Sequence, residues 1–62
     1  HLREFVLTGD RPAKTKNGLS TRTDEVLNEG EFVRMIDEQN TLVAIGEYIM
    51  AEKIVQPKVV FG

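Results

Sequence analysis

The sequence holds no cysteine and no tryptophan, one histidine at position 1 and one serine at position 20. Without cysteine there is no disulfide and no thiolate metal site, and a lone histidine cannot build an imidazole-based one. A catalytic triad needs a nucleophile, a base and an orienting acid packed together, and Ser20 with a terminal His1 offers no such set. The five glycines, Gly9, Gly18, Gly30, Gly46 and Gly62, stand too far apart for a phosphate loop or a dinucleotide fingerprint. Paired carboxylates occur at Asp24-Glu25 and Asp37-Glu38, but neighbours along an extended chain point to opposite faces, and both pairs sit beside turn residues. No apolar run approaches the 18 or so residues of a membrane span, and no basic-then-apolar leader opens the chain. The sequence therefore reads as a soluble domain with no catalytic residues, no cofactor and no metal of its own. Lack of cysteine is compatible with a reducing cytoplasm.

What is there points to a single small β-rich domain. In 62 residues a single hydrophobic core supplies only about 3–5 kcal/mol, and no staple is available to add to it. Support from a neighbouring domain is expected. The opening His1, in place of methionine, leads to the same expectation: residues 1–62 form one domain, a fragment excised from a longer chain.

Phe5-Val6-Leu7 reads as a strand. Thr8 then suits a helix N-cap and Asp10 the first turn, so a short helix is expected over 9–16, with Pro12 near its start and Lys14 and Lys16 at the end that favours cations. Asn17-Gly18 closes it. The alternation of Leu19, Thr21 and Thr23 with Ser20, Arg22 and Asp24 predicts a half-exposed strand. Asn28-Glu29-Gly30 is turn chemistry. Phe32–Ile36 and Leu42–Ile45 then form a hairpin about Glu38-Gln39-Asn40, with Asn40 left-handed. Gly46 marks a bulge, a bend or a close approach. Tyr48, Ile49 and Met50 continue the apolar content, and Lys58–Phe61 is the last strand, with Pro57 at its permitted first position. Tyr48 and Phe61 are expected in the core, Arg34 is expected in solvent or paired with Glu47, and no aromatic reads as exposed. The result is mainly β, about five short strands and one short N-terminal helix in a partly open barrel.

Ten acids against eight bases give a net charge of −2 at pH 7, which is not the footprint of a strongly basic nucleic-acid binder. Arg11, Lys14, Lys16 and Arg22 nevertheless concentrate in one segment with Asp10 the one acid near it, whereas Asp24, Glu25, Glu29, Glu31 and Asp37 follow with Arg34 alone. That basic segment is the candidate for phosphate contacts.

Asn17-Gly18, Gly30-Glu31-Phe32-Val33-Arg34, Leu42-Val43-Ala44-Ile45-Gly46-Glu47 and Gln56-Pro57-Lys58-Val59-Val60-Phe61 stand in an order that resembles the C-terminal PUA-type domain of bacterial tRNA pseudouridine synthase B. The resemblance runs through most of the chain. Arg11-Pro12 departs from it, standing where the family usually has acids. It implies a PUA-like pseudobarrel that contacts tRNA through the helix, the glycine turn and the next strand, here Lys14, Lys16, Asn17, Gly18 and Arg22. Isomerisation of uridine would then belong to a separate catalytic domain of the same enzyme, the domain's other partner. The rival expectation is a structural or docking module of that parent enzyme with no RNA contact.

Overall fold

The computed structural model describes residues 1–61. Its elements run β1 (Arg3–Val6), α1 (Arg11–Lys16), β2 (Thr21–Arg22), β3 (Phe32–Ile36), β4 (Leu42–Ile49) and β5 (Ile54–Val60). One five-stranded sheet, ordered β1-β3-β4-β5-β2, curls into a half-barrel with the helix packed against β4 and β5. The molecule is mainly β, as the sequence predicts. The chain enters at one edge of the sheet with β1, crosses through α1, and reaches the opposite edge at β2.

The centre of the sheet follows from alternation. Val33 and Met35 on β3, Ala44 and Tyr48 on β4, and Val55 on β5 face inward and are buried together with Phe5, Leu7, Val43 and the loop residue Leu27. The β3–β4 hairpin turns through Asp37–Thr41, where Asn40 takes φ 67° and the Asp37 carboxylate accepts the Gln39 and Thr41 amides at 2.9 Å each. A side-chain oxygen that accepts two amides of its own loop, here Asp37 Oδ1, fixes the turn without help from the core. A register shift after Met35 pairs Ile36 with Leu42 and leaves Val43 without a ladder partner on β3. Val43 and Ala44 are both buried as a result, as a bulge permits.

Gly46 combines two of its expected roles. A Cβ there would stand 2.6 Å from Met35 Sδ and 2.7 Å from Val55 Cγ1, so the inner face closes over it and no larger residue fits without displacing both neighbours. Directly across, Gly46 pairs with Pro57 while Ile45 pairs with Val59, leaving Lys58 as the extra residue of a bulge. This corrects the expected start of the last strand. β5 begins at Ile54 and Pro57 lies inside it, tolerated because the register shift falls where proline has no amide to offer the ladder.

Other expectations change at the edges. The anticipated 19–24 strand shortens to Thr21–Arg22, paired with Val55 and Ile54; the alternation holds from Thr21 to Asp24, with Thr21 and Thr23 buried and Arg22 exposed, and breaks at Leu19, which is 52% exposed. Thr8 is not the helix cap. Gly9 takes φ +59°, α1 starts at Arg11 behind Asp10, and no side chain caps it; the Thr8 carbonyl accepts the Arg11 amide at 3.0 Å instead. Phe61 is 41% exposed and Phe32 47%, so two aromatics expected inside face outward. Arg34 pairs with Glu4 on the neighbouring β1 at 2.7 Å, and Glu47 reaches Lys58 at 3.7 Å. The parallel pairing of β1 with β3 decides that choice, because it sets Glu4 directly beside Arg34.

Candidate nucleic-acid interface

Four of the five residues singled out in the sequence, Lys14, Lys16, Asn17 and Gly18, form the C-terminal turn of α1. Two hydrogen bonds define its ending: the Leu19 amide donates to the Lys14 carbonyl at 3.0 Å and the Gly18 amide to the Thr15 carbonyl at 2.9 Å. This pair is the Schellman arrangement, with Gly18 in the left-handed position at φ +84°. The conformation of Gly18 is thus accounted for by the helix end. A Cβ at Gly18 would meet nothing within 4 Å, so its backbone also faces open space. Asn17 is the C-cap residue, its amide bonded to the helix carbonyls behind it.

Charge at this turn is lightly held. Lys14 reaches Asp10 at 3.3 Å one helical turn away, with both side chains largely in solvent, a pairing worth only a few tenths of a kcal/mol. Lys16 is exposed and makes no ion pair among the described residues. Its position at the negative end of the helix is favourable in itself.

Arg22 stands apart from that turn, on the two-residue β2 at the edge of the sheet. It lines a cleft of about 430 Å³ at the open seam of the half-barrel, between β1 and β2, together with Phe5, Val6, Thr8, Arg11 and the 21–25 segment. Arg11 is committed internally: its guanidinium donates to the Ser20 carbonyl and to Thr21 Oγ1, and so clamps the start of α1 to β2. Asp24 and Glu25 also line the cleft. Two carboxylates beside one free guanidinium disfavour a phosphate in the seam. Positive charge without carboxylates crowded around it therefore lies at the α1 end, and the cleft that holds Arg22 is electrically mixed.

The structure adds Lys53, which sequence reasoning missed. It takes φ +55° in the turn before β5, its carbonyl accepts the Thr23 amide at 3.0 Å, and it makes no ion pair among the described residues. With Arg22 paired to Ile54, Lys53 stands opposite Thr23, one position along the ladder from Arg22, where it lines a second cleft together with Asp24 and Glu25. Thirty-one positions separate Lys53 from Arg22 in sequence, so only the fold sets the two segments side by side. No group of three or more His, Cys, Asp or Glu side chains is placed to hold a metal among the described residues. No described helix is long and apolar enough to cross a membrane. Comparison with protein-family models, curated proteins and solved structures returned no match.

Proposed function

We propose that this chain is an RNA-binding accessory domain of the PUA type, which holds tRNA in the cytoplasm while a separate domain of the same pseudouridine synthase isomerises the uridine. The observation that carries the reading is a set of exposed cations without acid partners among the described residues, Lys16, Arg22 and Lys53, with Lys14 in an exposed pair. On a chain with two more acids than bases, leaving these cations free keeps a local positive surface within an acidic whole. Such a surface suits phosphate contacts that position a folded RNA through its backbone and shape. Gly18 allows that backbone a close approach beside Lys16. The residues bind and orient; they break no bond.

A salt titration tests this. Affinity of the chain for tRNA is measured across ionic strength for the wild type and for a variant with Lys14→Ala, Lys16→Ala and Arg22→Ala. The expected result is weaker binding and a log–log salt slope shallower by about two to three. Equal affinity and equal slope would reject the RNA surface and favour a module that docks on its parent enzyme.

A further inference from the structure

Asparagine is a chemically labile side chain, most of all before glycine, and Asn17-Gly18 is the one Asn-Gly pair in the sequence. The reaction is an attack by the following backbone nitrogen on the side-chain amide carbon. The bond from Gly18 N to Asn17 Cγ forms, the Gly18 amide proton departs with the side-chain nitrogen as ammonia, and a cyclic succinimide remains. Water then opens the ring at one of its two carbonyls, leaving aspartate or isoaspartate. Glycine speeds the attack because no Cβ screens its nitrogen and its backbone turns freely. Asn28 and Asn40, followed by Glu29 and Thr41, lack that advantage. Asn17 is exposed, so water and base reach it.

The native turn nevertheless withholds the pair. The Gly18 amide is engaged with the Thr15 carbonyl at 2.9 Å, and the adjoining Leu19 amide holds the Lys14 carbonyl at 3.0 Å. Asn17 has ψ 9°, which turns the Gly18 nitrogen away from the Asn17 side chain. Ring closure needs that torsion to swing the nitrogen round beside Cγ, and the swing breaks both hydrogen bonds. α1 is only six residues long, and Lys14, Lys16, Asn17 and Gly18 are all exposed at its end, so this is a turn that frays. We propose that Asn17 is a deamidation site gated by the C-terminal turn of α1, protected while the two bonds hold and modified at a rate set by how often the turn opens. The product then undoes the turn that protected it. A new carboxylate stands at the negative end of the helix, where it is unfavourable, and isoaspartate lengthens the backbone inside the Schellman arrangement. The same event sets an acid beside Lys14 and Lys16. That last consequence bears on the RNA reading, but the modification itself needs no ligand and stands without it.

The test incubates the chain at mildly alkaline pH, under native conditions and in concentrated guanidinium chloride, with circular dichroism to verify the fold. Peptide mapping with mass spectrometry follows each asparagine. The expected result is that Asn17 converts ahead of Asn28 and Asn40 in denaturant, and at least about tenfold more slowly in the native chain. Leu19→Pro removes the amide that Lys14 accepts and crowds the left-handed Gly18 before it. It should raise the native rate at least about threefold and leave the rate in denaturant, where there is no turn, as it was. A native rate equal to the denatured one overturns the inference, since the turn then shields nothing; this comparison needs no variant. Protection undiminished in a folded Leu19→Pro chain overturns it equally, because the shield would lie elsewhere, and so does conversion of Asn28 or Asn40 in denaturant that keeps pace with Asn17.

Discussion

Thr15 is the residue whose chemistry least suits its surroundings. It is fully buried, on the side of α1 that faces the sheet, and its hydroxyl has no hydrogen-bond partner among the described residues. A buried hydroxyl without a partner costs about 1–3 kcal/mol. Thr15→Val keeps the branched shape and removes the orphan, so urea unfolding should shift to a higher midpoint by about 1 kcal/mol of stability with an unchanged slope. Thr15→Ser keeps the hydroxyl and removes a buried methyl, and should shift the midpoint down. A valine variant less stable than the wild type would mean that the hydroxyl does find a partner. Burial at single positions was legible where alternation governs, as for Tyr48 and Thr21. It was not legible for Phe32 and Phe61, because hydrophobicity says that an aromatic prefers cover and not whether another element lies over it.

At the scale of elements, α1 and the β3–β4 hairpin were legible because local chemistry decides them: Gly18 and the lysines end the helix, and Asp37 and Asn40 make the turn. β1 pairing in parallel with β3, some thirty residues away, left no local mark, and with it went the partner of Arg34. A similar long-range tie binds the turn before β3 to β1. Glu31 accepts the Asn28 amide at 3.0 Å through one oxygen and the Arg3 guanidinium at 2.9 Å through the other. The Asn28 backbone bond, followed by the Arg3 charge, outweighs desolvation and holds the Glu31 carboxyl below its usual 4.5. The sign follows from linkage. The folded state binds this proton less readily than the unfolded state, so the stabilisation is complete above about pH 4.5 and is lost as pH falls through the lowered folded value. Melting temperatures measured from neutral pH into the acid range should fall, and Glu31→Gln should flatten part of that fall while lowering stability at neutral pH. An identical pH profile for the variant would show that Glu31 is not coupled to folding.

In the whole molecule, the legible part of the candidate site was the part contiguous in sequence. Lys14 and Lys16 emerge from the charge pattern and Asn17 and Gly18 join them through the family resemblance, whereas Lys53 is set beside the β2 segment only by the β2–β5 ladder. The same topology sets how stability is distributed. β3 and β4 each have a strand on both sides, and the residues they bury, Val33, Met35 and Ala44, are fully covered. β1 and β2 are the two edges, and β2 is held by two ladder positions and by the Arg11 clamp. Local opening draws on the least buried and least bonded segments first. Native-state hydrogen exchange should therefore find the slowest amides in β3 and β4 and much faster exchange at Thr21 and Thr23, whose bonds to Val55 and Lys53 break when the short edge frays. Arg11→Ala, which removes the clamp from α1 to β2, should accelerate exchange at those two amides by about tenfold or less and leave β3 and β4 unchanged, because an edge can open without the centre. Uniform acceleration across all five strands would instead mean that β2 opens only when the whole sheet unfolds, and that the seam between β1 and β2 is no softer than the core.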